Sequence, residues 1–123
     1  MTTWNLEETQ CHLLICNGST CMRKGAEEVT QAIRNEITAL NADHKIHTTR
    51  TQCNGRCMDA CVVIAYPEGV WYKDMTPDLG RDLVNKHLNK GRLEDQVVYH
   101  FDERFISTDR SISGVEKNPG SQS

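Results

Sequence analysis

No apolar run in this chain approaches the ~20 residues that a membrane-spanning helix needs. Nor is there an excess of basic residues: the net charge is −3 over 123 residues, which argues against a nucleic-acid partner or a membrane surface. The opening stretch Met1-Thr-Thr-Trp4-Asn-Leu6-Glu-Glu8 has no basic segment followed by an apolar one, so no secretory leader is read there and a cytoplasmic location is expected. A Gly-rich phosphate loop and a hydrolytic triad are both lacking. So is any internal repeat. Missing too is Cys-x-x-Cys, the spacing of thioredoxin redox dithiols and of the usual zinc knuckles. What remains to be explained is six cysteines. A chain of this length buries enough core to fold without cross-links. In a reducing compartment such cysteines point to a metal or to catalysis more than to disulfides.

Two stretches hold nearly all of them. Cys53-Asn-Gly-Arg-Cys57-Met-Asp-Ala-Cys61 leads directly into the apolar run Val62-Val63-Ile64-Ala65-Tyr66. Upstream, Cys16-Asn-Gly-Ser-Thr-Cys21 follows the apolar run Leu13-Leu14-Ile15. Two cysteine-bearing loops at strand ends suggest one shared centre, and four thiolates are what an iron–sulfur cluster or a structural zinc requires. Cys61 opens an apolar strand and reads as a packed thiol beside the centre. It also leaves open a [4Fe-4S] centre drawn from five thiols, or a dithiol with Cys57, which the absence of Cys-x-x-Cys disfavours. Cys11 stands alone. His12, His44, His47, His87 and His100 show no ligand spacing with one another or with the cysteines, so a His-ligated centre is not expected.

Along the chain, residues 1–10 are polar and read as an arm, and residues 11–16 as a buried strand. Between residues 24 and 40, Ala26, Val29, Ile33, Ile37 and Leu40 recur at spacings of three and four, the pattern of an amphipathic helix with Asn41 as its end signal. Residues 45–52 are β-prone. Residues 62–66 form a third strand, Pro67-Glu-Gly69 a turn, and residues 70–73 the returning strand of a hairpin. Thr76-Pro77-Asp78 supplies a cap, a proline at the first helical position and an acid in the first turn. The helix it opens has Leu79, Leu83, Val84 and Leu88 inside and Gly91 as a cap at its end. Val97-Val-Tyr99 reads as a last short strand. The folded domain is expected over residues 11–100, followed by a disordered tail over residues 101–123 rich in Ser, Asp, Gly and Asn. The order β-α-β, cysteine loop, β-β-α is an α/β layout of thioredoxin-like type: a mixed central sheet flanked by two helices, with the cysteine loops at one edge.

On these residues the chain resembles the thioredoxin-like [2Fe-2S] ferredoxins, related to the small cluster-bearing subunit of NADH dehydrogenase. The likeness runs from His12 to Tyr99. It rests on the pair Cys16 and Cys21 after the first strand, on Cys53-x-x-x-Cys57 after the second, and above all on Tyr66-Pro-Glu-Gly-Val-Trp-Tyr72. One departure is Cys61, which falls where the family has proline. The chain is also similar to small ferredoxins found with enzymes of anaerobic cobalamin biosynthesis. The resemblance implies a [2Fe-2S] cluster on Cys16, Cys21, Cys53 and Cys57, one-electron transfer to a redox partner protein with no enzyme chemistry of its own, and a homodimer. A net negative charge would steer it to a basic partner site in a salt-sensitive way. Gly18 and Gly55 would let the backbone approach the cluster and present N–H groups. Arg56, between two implied ligands, would raise the potential by its charge.

Overall fold

The computed structural model describes residues 4–115. Its centre is a six-stranded sheet in the order β2-β1-β3-β4-β5-β6. β1 (Cys11–Cys16) runs parallel to β2 (Ile46–Thr51), with Cys11 opposite Ile46 and Cys16 opposite Thr51. Every other neighbour is antiparallel: β3 (Val63–Tyr66) lies between β1 and β4 (Val70–Tyr72), then come β5 (Val97–Asp102) and β6 (Arg104–Ser107). The single parallel pair makes the first two strands end on the same side. The loops after Cys16 and after Thr51, both bearing cysteines, therefore emerge together.

The connection from β1 to β2 is two helices rather than one. α1 (Ser19–Arg23) carries Cys21, and α2 (Ala26–Ala39) follows it. Gly25, at φ 94°, turns the chain between them in a region that a residue with a Cβ avoids. The sequence period begins near Lys24 because only α2 is long enough to show one. Val29, Ile33 and Ile37 are buried as the period requires, whereas Leu40 lies past the helix end and is exposed. Asn41 does terminate α2: it sits at φ 54°, its N–H reaches Thr38 O at 3.0 Å, and the Ala42 N–H reaches Ile37 O at 2.9 Å.

α3 (Pro77–Leu88) begins as its capping residues dictate, with the Leu79 N–H donating to Thr76 Oγ1 at 3.2 Å. Leu83 and Val84 are fully buried, and Leu79 and Leu88 pack at the edge of the core. Gly91 is not the left-handed residue at its end. Lys90 takes that conformation at φ 60°, and the Gly91 N–H closes the turn onto Lys86 O at 2.7 Å. α2 and α3 pack on each other where a Cβ on Gly80 would stand 2.9 Å from Ile33 Cγ1, so the glycine is what lets the helices approach.

The folded region extends past its expected end. β5 is not an edge strand, because β6 pairs with it from Tyr99–Ser107 to Asp102–Arg104. The expected boundary at residue 100 is thus too early. A Trp71–Phe105–Phe101 aromatic chain, with ring centroids 6.0 and 5.3 Å apart, holds the hairpin, although the segment's composition is that of a tail. Residues 116–123 of the expected tail lie outside the described residues. Trp4 and Leu6, in the expected arm, are exposed. No helix among the described residues is long and apolar enough to cross a membrane.

Candidate metal centre

Cys16 is the last residue of β1 and Cys21 lies within α1; both are buried. Cys53 and Cys57 lie on the loop after β2, where Cys57 opens a 3-10 turn over Cys57–Asp59; both are exposed. All four, with Gly18, Thr20, Asn54, Arg56 and Val62, line one cleft. They form two pairs across it. Cys53 Sγ and Cys57 Sγ are 3.5 Å apart, and Cys16 is a side-chain neighbour of Cys21 that raises its thiol pKa. Among the described residues, no three Cys, His, Asp or Glu side chains converge on one point as ligands of a single ion would.

Gly18 sets the spacing between the two loops. Its φ of −65° is ordinary, so no conformational demand selects glycine there. A Cβ on it would lie 2.9 Å from the N, Cα and Cβ of Cys53, so only a residue without one lets the loops touch. Gly55 has the other reason. It sits at φ 81° with open space around it, and its N–H donates to Cys53 Sγ at 3.3 Å.

The two pairs have different electrostatics. Burial pushes the Cys21 thiol up to about 12, against a smaller lowering by the Val62 amide. Cys53 is held below the ordinary thiol value, first by the Gly55 N–H and then by Cys57. A bound metal would reverse the order for Cys21, because coordination deprotonates a thiol outright.

Cys61 is buried beside the first pair, outside the lining of the cleft. Its thiol donates to Cys21 O at 3.5 Å and Lys24 O at 3.4 Å, which ties it to the end of α1. Burial raises its pKa. The Ala60–Cys61 peptide bond is cis, at the position where the resemblance puts a proline. Cys11 lies at the opposite end of β1, buried, with its thiol pushed up to about 12 by desolvation.

Three residues around the centre carried no signal in the sequence. Asp59, 2% exposed, accepts from Arg56 Nε at 2.7 Å. Tyr99 and Ser111 also meet Arg56. Their separation in the chain hid them, as the parallel register hid the approach of His12 to His47, whose rings are 4.9 Å apart.

The donor set fits a binuclear cluster, since a [2Fe-2S] rhomb takes two thiolates on each iron and the cleft offers two pairs. Comparison with known proteins agrees. Residues 3–88 match the model of the thioredoxin-like [2Fe-2S] ferredoxin family. Over 121 residues the chain is 52% identical to a protein of Priestia megaterium that bears the name 2Fe-2S ferredoxin, covering 95% of this chain and 94% of that one. It is 34% identical over 83 residues to a 2Fe-2S ferredoxin of Aquifex aeolicus, covering 64% of this chain and 72% of that one. Among solved structures, a thioredoxin-like [2Fe-2S] ferredoxin from Aquifex aeolicus superposes with a TM-score of 0.69 at 28% identity, over 76% of this chain and 94% of that one. The cofactor is accordingly a [2Fe-2S] cluster, and the broad function is that of an electron carrier. The chain belongs to the thioredoxin-like [2Fe-2S] ferredoxin family.

Proposed function

We propose that Cys16, Cys21, Cys53 and Cys57 ligate the cluster, Cys16 with Cys21 on one iron and Cys53 with Cys57 on the other, and that Cys61 is not a ligand. The observation that carries this is the meeting of four thiols, as two pairs, around one cleft. Cys61 instead directs its thiol to two backbone carbonyls of the α1 end. When bound, the cluster supplies a one-electron couple. The protein's own residues hold it between a buried and an exposed pair of sulfurs and donate N–H groups toward them, notably from Gly55 and Val62. The likeness to ferredoxins supports a role for the chain as a carrier and not as an enzyme.

The partner docks where Cys53 and Cys57 reach the surface. Met58 and Met22, next to Cys57 and Cys21 in the chain, are 77% and 47% exposed and offer adaptable apolar contact. Enzymes of anaerobic cobalamin biosynthesis are the first class of acceptor to try, on the sequence likeness alone. The helix-free sheet edge with Phe101 and Phe105, both exposed, supports a homodimer. A cytoplasmic location goes with reduced thiols.

Anaerobic iron and sulfide assay with EPR after dithionite tests the assignment. Two irons and two sulfides per chain are expected, with loss of the S = 1/2 signal when Cys16 or Cys21 becomes serine and none when Cys61 does. One zinc per chain, or four irons that fall when Cys61 is replaced, would overturn it. Mass by light scattering tests the dimer, with the monomer mass as the contrary result.

A further inference from the structure

We propose that Arg56 is a positioning residue that straps the C-terminal segment, residues 108–112, onto the Cys53–Cys57 loop, and that the strap fixes the Arg56 side chain in the lining of the cysteine cleft, where it limits water at the centre and thereby holds its potential down. The inference rests on the ligand assignment above. Arg56 sits between two assigned ligands on an otherwise exposed loop, yet its side chain is only 14% exposed. It meets three separate stretches of chain. Nε donates to Asp59 Oδ2 at 2.7 Å, just past Cys57. Nη1 donates to the Tyr99 hydroxyl at 3.2 Å, and the guanidinium lies 5.1 Å from the centre of the same ring. Nη2 donates to Ser111 Oγ at 3.3 Å and to Ile112 O at 2.7 Å. A planar, forked cation suits such divergent acceptors, and a lysine ammonium does not.

The strapped segment has its own root. The Thr108 N–H donates to Val98 O at 2.8 Å, Lys73 Nζ to Arg110 O at 2.9 Å, and the Ser111 N–H to Thr108 O at 3.1 Å. Tyr99, Ser111 and Ile112 all lie beyond residues 3–88, so the strap is built from chain outside the family match.

Charge alone gives Arg56 a different role. A bare cation beside the cluster would raise its potential. Here the Asp59 carboxylate, 2% exposed and 2.7 Å away, opposes that field. What is left is cover, since the Arg56 side chain lines the cleft that holds the four cysteines. Keeping water from an anionic centre disfavours its more negative, reduced state, so opening the strap raises the potential. The two readings therefore separate on a variant that keeps the charge and loses the fork.

The test uses full-length holoprotein with wild-type cysteines and compares Arg56→Lys and Tyr99→Phe with the parent. Hydrogen exchange at residues 108–112 should accelerate about tenfold or more in Arg56→Lys and less in Tyr99→Phe. The reduction midpoint should rise in Arg56→Lys. Exchange unchanged in both variants, or a midpoint in Arg56→Lys that stays put or falls, overturns the proposal. If Arg56→Lys does not fold, Tyr99→Phe alone decides by the same exchange readout. Failure of the ligand assignment has a different signature, unaltered iron content when Cys16 or Cys21 is replaced, and leaves the exchange result standing.

Discussion

Cys16 and Cys21 are held by backbone and core, whereas Cys53 and Cys57 lie exposed on a loop held by glycine contacts and one ion pair. The first pair sits at the end of a central strand and in a helical turn, packed against Ile15, Val62 and the thiol of Cys61. The second sits on an irregular loop kept in place by Gly18 contact, the Gly55 amide and the Arg56–Asp59 pair. A carrier needs both arrangements. One side must be rigid enough that little rearranges when charge changes, and the other close enough to the surface for a partner to reach it.

The largest expected effect follows from that asymmetry. Serine at Cys16 or Cys21 should reduce iron per chain more than about tenfold, because the core cannot shift to recover a weaker ligand. Serine at Cys53 or Cys57 should leave a larger fraction of cluster, since loop and water can adjust. Iron, sulfide and visible absorption of the four variants, prepared side by side, measure it. Equal losses from both pairs would break the comparison.

A chemical probe sharpens the same contrast in the apoprotein. Cys53 is exposed and its thiol lies below the ordinary value, whereas Cys11 is buried with its thiol pushed up to about 12. Iodoacetamide at neutral pH, followed by peptide mass mapping, should modify Cys53 more than about tenfold faster than Cys11. Similar rates would mean that the loop closes over Cys53 in solution.

The two loop glycines give a third, smaller effect. Gly18→Ala forces a Cβ against Cys53 backbone, an overpacking cost of about 1–3 kcal/mol. Gly55→Ala meets no neighbour and costs only the left-handed backbone, about 1–2 kcal/mol. Thermal melts should rank them in that order. Gly18→Ala should also lower cluster occupancy, because it parts the loops that carry the two pairs.

Much of this was legible in the residues. The two cysteine loops, the α2 and α3 faces and the Tyr66–Tyr72 hairpin follow from local patterns: thiol spacing, a 3.6-residue period, a Thr-Pro cap and a Pro-Glu-Gly turn. What local pattern could not show was anything that depends on register or on distant partners. α1 is a single helical turn, too short for a period. β6 reads as tail because Arg104, Ser107 and Asp109 surround its two aromatic and aliphatic residues, and only pairing with β5 makes it a strand. Arg56 read as a free charge. Its neutralising partner is three residues on, but burial of that partner is a tertiary fact.

Away from the cysteine loops, acid acts on the fold without touching a thiol ligand. His87 on α3 shares a cleft with Cys11 and is 2.9 Å, through Nε2, from the hydroxyl of fully buried Tyr72. That hydroxyl can donate to Nε2 only while the nitrogen is unprotonated, and desolvation lowers the His87 pKa below its ordinary 6.5. His12 shifts the same way, by desolvation and then by His47. Near and below 6.5 the unfolded chain therefore binds more protons than the folded one, so stability drops as pH falls from there toward the lowered folded value. His87→Gln should give a shallower loss of melting temperature between neutral and mildly acidic pH than the parent. Far-UV circular dichroism should report that change in slope, while visible absorption, which follows the cluster, keeps the parent's pH dependence. A variant whose melting slope matches the parent would move the acid sensitivity away from His87, to His12 or to the cysteine end.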